Sequence, residues 1–99
     1  MRRDMIKKLL PKICPSCGGV LQVHVMRCAE CDTKIEGNYP LSALMRLKEE
    51  DLRFVMDFVL CSGSLKALAQ KMGLSYPSVR NRLDDIIAEL ERVEQSENN

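Results

Sequence analysis

The sequence has one histidine, no long apolar run and little net charge, and each scarcity excludes a class of protein. The single histidine, His24, lies between the two cysteine pairs and far in the sequence from the isolated Cys61. No Cys/His pair for nucleophilic catalysis is therefore indicated. We also find no paired acid and base, no phosphate-cradling glycine loop and no open metal site, which argues against an enzyme and against a small-molecule substrate. The apolar runs fall far short of the roughly 18 residues that span a bilayer. The basic N-terminus lacks a sustained apolar centre and a small-residue cleavage site, so we expect an untargeted, cytoplasmic protein.

The charge of the chain is nearly balanced, with 15 basic and 14 acidic residues. This balance argues against strong indiscriminate binding to nucleic acid. The charges are nevertheless segregated, because residues 64–83 hold four basic residues and no acid, whereas residues 84–99 hold six acids and one arginine. The segregation leaves room for one focused contact with a polyanion.

Four of the five cysteines form a C-x2-C-x10-C-x2-C array, CPSCGGVLQVHVMRCAEC. No secretory signal accompanies them, which favours reduced thiols over disulfides. Two cysteines two residues apart can share one cation, and a hairpin can return the second pair to complete a tetrahedron. We therefore predict a structural Zn²⁺ site with a closed shell; a redox dithiol pair or an iron–sulfur site usually has other spacings. The predicted ligands are Cys14, Cys17, Cys28 and Cys31.

The residues around these cysteines predict a small β ribbon. Gly18 suits a tight turn after the first pair, whereas Asp32, in the equivalent place, adopts a left-handed conformation less easily. Alternation of apolar and polar residues between the pairs indicates strands with one covered face, with a short third strand around Lys34 and Ile35. The inward positions would be Leu21, Val23 and Val25. Because four thiolates already fill the shell, we interpret His24 as an exposed strand residue rather than a ligand.

Beyond Gly37 the apolar spacing changes from two to helical. A short helix is predicted on Leu41, Leu44, Met45 and Leu47. A longer helix is predicted with an inward stripe of Leu52, Val55, Met56 and Val59. Lys48 stands where a Ser or Thr N-cap is expected, which leaves the start of that helix weakly defined. Cys61 fits the helix end as a small buried hydrophobe rather than a nucleophile.

Two further helices joined by a glycine turn are indicated. Ser64 and Ser75 are the N-caps, Gly73 ends the first of the two helices, and Leu74 is expected to fill the corner between them. Crossing helices need a small residue at their contact and apolar anchors on both sides. The inward residues would be Leu65, Leu68, Ala69, Met72, Val79 and Leu83. This is a helix-turn-helix pattern, although such helix pairs also occur in proteins that never touch DNA.

The start of the second helix of this pair carries side chains suited to a DNA groove. Arginine can form two hydrogen bonds with the edge of guanine, and asparagine can do so with adenine. Serine or tyrosine can bond a phosphate. The candidate nucleic-acid contacts are Ser75, Tyr76, Ser78, Arg80, Asn81 and Arg82. This interpretation requires that the guanidinium groups of Arg80 and Arg82 point outward and are not paired with neighbouring carboxylates.

The acidic tail continues the same helix to about residue 94. Leu83 and Ile86 are expected to pack within the domain, and the apolar stripe beyond them is a candidate homodimer interface, although it is too short to indicate a coiled coil. The residues of this interface would be Ile87, Leu90 and Val93. Because only the first two turns can approach a polyanion, we expect DNA binding by one copy to be weak. The basic N-terminus could form an amphipathic helix, either as a solvated flank or as an arm for a membrane or nucleic acid.

The motifs CPSCGG, MRCAECDTKIEG and GSLKALAQKMGLSYPSVRNRLDDII together resemble a family of small bacterial and archaeal proteins catalogued as a domain of unknown function. The second half is similar to the helix-turn-helix of sigma-factor region four, of LuxR-type regulators and of Fis-like proteins. The resemblance implies a small α+β protein, with a zinc ribbon joined to an all-α helix-turn-helix domain that ends in a long helix. The expected segments are a basic flank, the ribbon, the helical domain and a frayed tail, at residues 1–13, 14–37, 38–95 and 96–99.

Two functions follow from these features. The first is a non-enzymatic transcription regulator whose helix-turn-helix binds DNA. The second is an adaptor that uses the same helices to dock on RNA polymerase, on a sigma factor or on a second copy of itself. The acidic tail and the balanced charge favour the adaptor, and the residues at the helix start favour the regulator.

Overall fold

The computed structural model describes residues 9–97, without the side chain of Glu97. The chain divides into two units after Ser42, five residues beyond the boundary expected from the sequence. The difference arises because Gly37-Asn38-Tyr39-Pro40, where the sequence pattern changes and a boundary was expected, belongs to a β-strand. The expectations for the basic flank fall largely on residues 1–8, outside the described residues.

The first unit is a two-stranded antiparallel ribbon. Strand β1 spans Gln22–Arg27 and strand β2 spans Lys34–Pro40, with Gln22 opposite Pro40 and Arg27 opposite Lys34. The register shifts between Val23 and Val25. The short third strand expected around Lys34 and Ile35 is therefore part of the second strand, β2, which has seven residues. Backbone N–H and C=O groups of β2 find hydrogen-bond partners by pairing with β1.

The ribbon has almost no apolar core. Leu41 is the one buried side chain among its described residues, 9–42, and the inward face expected on Leu21, Val23 and Val25 is only partly covered. Val25 is 46% exposed. A two-stranded ribbon is marginal in water without further support.

The second unit contains three α-helices in its described part: α1 at Glu49–Leu60, α2 at Leu65–Met72 and α3 at Tyr76–Glu97. The short helix predicted before α1 is only a 3-10 turn, Leu44–Arg46. Helix α1 begins after Lys48, which provides no side-chain cap, as its sequence implied. Three carboxylates in the first turn of α1 interact favourably with the helix dipole instead.

The core of this unit lies where the three helices meet. Its buried members are Leu47, Phe54, Leu68, Ala69, Val79 and Ile86. The predicted α1 stripe was partly wrong, because Met56 and Val59 are 57% and 64% exposed while Phe54 is 2% exposed. Cys61 packs against the core from the end of α1, as expected. No helix within residues 9–97 combines the length and hydropathy needed to cross a membrane.

The turn between α2 and α3 confirms the predicted helix-turn-helix. The Ser64 hydroxyl accepts a hydrogen bond from the Ala67 N–H at 3.1 Å, and Gly73 ends α2 with a left-handed φ of 69°. The Leu74 N–H then donates to the Ala69 carbonyl at 3.0 Å, which closes the end of α2. Leu74 does not fill the corner, since 46% of it is exposed. The backbone bonds alone define this turn.

Candidate metal centre and nucleic-acid interface

Two turns of similar geometry present the four ribbon cysteines. In the first turn the Gly18 N–H donates to the Cys14 carbonyl at 2.9 Å, and the Ser16 N–H points to Cys14 Sγ at 3.4 Å. In the second, the Asp32 N–H donates to the Cys28 carbonyl at 2.9 Å. The Glu30 N–H points to Cys28 Sγ at 3.4 Å. This repeated pattern places N–H dipoles beside sulfur, where they favour the thiolate over the thiol.

A left-handed residue follows each cysteine pair. Gly18 has a φ of 76°, and Asp32 reaches a φ of 64° despite its side chain. Asparagine and aspartate tolerate this conformation better than most residues. The Asp32 carboxylate also accepts a hydrogen bond from the Arg27 guanidinium, which fixes the second turn to the end of β1.

The thiols of two ligand positions are biased toward ionisation. Hydrogen bonds from the backbone of Cys17, and next from that of Ser16, lower the pKa of Cys14. The hydroxyl of Thr33, 3.0 Å from Cys31 Sγ, is the main cause that lowers the pKa of Cys31. Thiolates are the form that binds a soft or borderline metal ion.

The structure brings the cysteines together pairwise. Within residues 9–97, no cluster of three or more His, Cys, Asp or Glu side chains is arranged to hold a metal ion. The donor set nonetheless fits zinc, because four cysteines on two similar turns supply the sulfur ligands that a closed site needs. His24 is an exposed strand residue as predicted, and its Nδ1–H donates to the Gly37 carbonyl at 2.8 Å.

The start of α3 is exposed, and five of the six candidate nucleic-acid contacts lie on its surface. These are Ser75, Tyr76, Ser78, Arg80 and Asn81. Ser75 caps the helix as predicted: its hydroxyl oxygen accepts from the Ser78 N–H at 3.3 Å. The two serine hydroxyls also lie 2.9 Å apart. Because Ser75 and Ser78 bond each other, they are less available to phosphate than the exposed side chains beside them.

Arg80 is exposed as predicted, but it is paired with a neighbouring carboxylate, contrary to the prediction. Its guanidinium lies 3.2 Å from the carboxylate of Asp84, one turn later on α3, and both side chains are about half exposed. A surface pair at this spacing contributes only roughly 0.3–0.5 kcal/mol. A phosphate can therefore displace Asp84 at little energetic cost.

Arg82 contradicts the sequence-based prediction. Its guanidinium donates to the Glu50 carbonyl at 3.1 Å and to the Asp51 carboxylate at 3.3 Å. The same group lies over the Phe54 ring, 5.2 Å from the ring centroid. Arg82 thus connects α3 with the first turn of α1 and does not point outward. The helical period places Arg82 next to the buried positions Val79 and Ile86, which explains its inward direction.

The candidate nucleic-acid contacts on α3 lie on two faces of the helix. Ser78, Asn81 and Arg82 line a cleft of about 830 Å³ beside the first turn of α1. Its carboxylates outnumber its cations, the charged lining residues being Arg46, Lys48, Arg82, Glu50, Asp51, Asp85 and Glu89. Tyr76 and Arg80, four residues apart on one helical face, are not among its lining residues. The open face of Tyr76 and Arg80 suits a polyanion better than the cleft does.

Sequence reasoning missed two features of this region. Lys66 is exposed in the first turn of α2, and no ion-pair partner is found for it in the described part of the chain. Lys71 lies 3.3 Å from Asp57 of α1. A count of charges pointed to all four cations of residues 64–83, but no local signal could reveal that Arg82 and Lys71 bond carboxylates on another helix.

The candidate dimer stripe is mostly covered within the monomer. Val93 is 3% exposed and Leu90 packs against the core, so these two residues do not form the free surface that was predicted. Ile87 is 40% exposed. It lines a shallow apolar groove of about 360 Å³ with Ala43, Leu44 and Leu90, beside Glu91 and Glu94.

Comparison with known families matches most of the chain. Residues 14–45 match the DUF2089 zinc ribbon, and residues 47–92 match the helix-turn-helix region described as domain of unknown function DUF2089. No curated protein and no solved structure matches the chain significantly. The two matched regions correspond to the ribbon and to the helical unit.

Proposed function

The chain belongs to the DUF2089 family, with its zinc ribbon and helix-turn-helix, and on that premise we propose that it is a non-enzymatic regulator that binds duplex DNA. The contact is made by the first two turns of α3 and the first turn of α2. One observation carries this proposal: the exposed surface of the helix-turn-helix is built from a segment that contains no acid of its own, and its Arg80 pairs only weakly, with Asp84 one turn later. No acid occurs in the sequence between Asp57 and Asp84.

Three features of that surface support DNA as the ligand. Tyr76 and Arg80 are exposed on one face of α3, and Asn81, on the cleft side of the helix, is also exposed. Lys66 adds a cation at the start of α2, and the N–H groups of a helix start favour phosphate. Asp84 and the acids that follow it keep the rear of α3 away from a polyanion, so one copy binds weakly.

The ribbon has a supporting role in this proposal. We infer that Cys14, Cys17, Cys28 and Cys31 hold one Zn²⁺ with no open coordination position, so that the ion stabilises the fold and performs no chemistry. Native mass spectrometry of the protein refolded with zinc should give one ion per chain. Replacing Cys28 with Ser should remove it, whereas Cys61→Ser should leave it bound. Retention of the ion in Cys28→Ser would contradict the assignment.

DNA binding is tested by a titration of fluorescent duplex DNA over a range of salt concentrations. Each phosphate contact steepens the dependence of log K on log salt by about 0.9. We expect Arg80→Ala and Lys66→Ala each to reduce that slope by about one contact. Arg92→Ala, on the acidic half of α3, is the matched control and should leave the slope unchanged. Absence of binding at low salt, or equal slopes in all four proteins, would remove the proposal.

A second candidate is the adaptor that docks on RNA polymerase, on a sigma factor or on a second copy. The observation that favours it is the exposed apolar surface of α1, where Met56, Val59 and Leu60 are each more than half exposed. Affinity purification separates the two functions. A stoichiometric protein partner that stays bound after nuclease treatment and is lost in Val59→Asp supports the adaptor.

A further inference from the structure

Arg82 makes three contacts with α1 that together fix the relation between two helices. It donates to the Glu50 carbonyl and to the Asp51 carboxylate, and it lies over the ring of Phe54. Phe54 is itself held in the core at 2% exposure. The guanidinium is therefore held in two ways. Its N–H groups bond the first turn of α1, and its planar face lies over the buried ring of Phe54.

The ion pair is more protected from solvent than the neighbouring one. The side chains of Arg82 and Asp51 are 36% and 18% exposed, against 51% and 52% for Arg80 and Asp84. Solvent screens a shielded pair less than an open one. A phosphate thus displaces Asp84 from Arg80 more easily than it displaces Asp51 from Arg82.

The position of Arg82 on α3 gives these contacts a consequence for the proposed interface. Asn81 precedes it directly, and Arg80, Ser78 and Tyr76 lie within the two preceding turns. A rotation of α3 about its axis would turn these side chains away from the open surface. The contacts of Arg82 with α1 oppose that rotation at the point where the exposed start of α3 ends.

We propose that Arg82 is the positioning residue of the α3 helix start: it fixes the rotation of α3 on α1 and does not itself contact DNA. The proposal rests on the proposed function for its DNA readout. Arginine is required because only a planar guanidinium can stack on Phe54 while its N–H groups bond a carbonyl and a carboxylate. Both hydrogen bonds come from one nitrogen, Nη2, so lysine keeps the charge and could still donate, but it loses the planar stacking on Phe54.

The test uses the full-length protein and four variants: Arg82→Ala, Arg82→Lys, Asp51→Asn and, as the matched control, Asp85→Asn. Asp51 and Asp85 both line the cleft beside α3, but only Asp51 bonds Arg82. Affinity and salt slope are measured on the same duplex, and circular dichroism confirms that each variant is folded.

The positioning role predicts that Arg82→Lys and Asp51→Asn weaken DNA binding several-fold while the salt slope stays unchanged. Asp85→Asn should bind as the parent does or more tightly, since it removes the same negative charge without loosening α3. A phosphate contact predicts the reverse: Arg82→Lys keeps both affinity and slope, Arg82→Ala lowers the slope by about one contact, and Asp51→Asn binds more tightly. That result would overturn the proposal.

A second measurement does not depend on DNA. Amide hydrogen exchange in residues 78–83 should accelerate in Arg82→Ala, Arg82→Lys and Asp51→Asn, and should stay at the parent rate in Asp85→Asn. Combining Arg82→Ala with Asp51→Asn should add little to the faster of the two single variants. Unchanged exchange would refute the positioning role even if DNA binds. Faster exchange in a protein that binds no duplex would leave the positioning role standing and remove the proposed function.

Discussion

The two units of the chain are stabilised in opposite ways. In the described part of the ribbon one side chain, Leu41, is buried, and the cysteines lie on exposed or half-exposed turns. The helical unit instead has a hydrophobic core, whose members include four side chains with almost no solvent exposure, Phe54, Leu47, Leu68 and Val79. The comparison shows that a short chain can combine a unit that has almost no apolar core with a unit that is defined by one, and the first of these is where we expect a metal ion to stabilise the fold.

Removing the metal should have the largest effect and should separate the units. Because structural zinc contributes roughly 10–16 kcal/mol to the folding of small zinc domains, chelation should unfold the ribbon and abolish the protection of the β1–β2 backbone amides. The helical unit should keep its structure, since its core contains none of the four cysteines. Two-dimensional NMR during titration with a chelator measures both units at once. Joint loss of ribbon and helix signals would contradict this division.

A substitution in the hydrophobic core should instead destabilise the helical unit. Leu68 is completely buried in α2, and Leu68→Ala should lower the free energy of unfolding of the helical unit by roughly 2–5 kcal/mol. Leu60→Ala makes the same chemical change at a position that is 67% exposed and should cost less than about 0.5 kcal/mol. Urea denaturation followed by helical circular dichroism measures both. Equal losses in the two variants would show that the buried cluster does not define the unit.

The turn of the helix-turn-helix should show a smaller effect that depends on the backbone alone. Gly73 has a φ of 69°, and an added Cβ would meet no atom within 4 Å. Gly73→Ala should therefore cost roughly 1–2 kcal/mol through conformation, without a steric clash. Gly73→Asn should cost less, because asparagine enters the left-handed region more readily. The ranking is measured by thermal unfolding, and a cost for Asn equal to or above that for Ala would refute this explanation.

Sequence patterns predicted the features that are defined locally. The cysteine spacing, the Ser64 and Ser75 caps and the Gly73 turn each depend on a few neighbouring residues, and the structure has both caps and the turn as predicted. The buried face of α1 could not be predicted in this way, because its apolar residues form two overlapping stripes, either of which could pack against the core. Phe54 belongs to the stripe that is buried, and its larger apolar area favours that choice.

Contacts between distant parts of the chain could not be predicted. Arg82 and Asp51 are 31 residues apart, and the sequence of each helix alone is compatible with an outward arginine. The boundary was expected near Gly37 because nothing local shows that the residues after it pair with β1. The candidate DNA surface therefore stays a prediction, and its membership changed once the helices packed, because Arg82 turns toward α1.

The smallest expected effect concerns the acidic half of α3. Hydrogen bonds from Arg92, at 2.5 Å and 3.2 Å, lower the pKa of Glu89 below its ordinary value of 4.5. A lowered pKa in the folded state means that the pair stabilises the protein above the unfolded pKa, and that this contribution is lost as the pH falls through the folded value. The side chains are 66% and 43% exposed for Arg92 and Glu89, so solvent screening keeps the contribution small. An NMR titration should find the pKa of Glu89 below its ordinary value. Arg92→Ala should raise the pKa of Glu89 toward its ordinary value, and a Glu89 pKa that does not respond would show that the pair does not persist in solution.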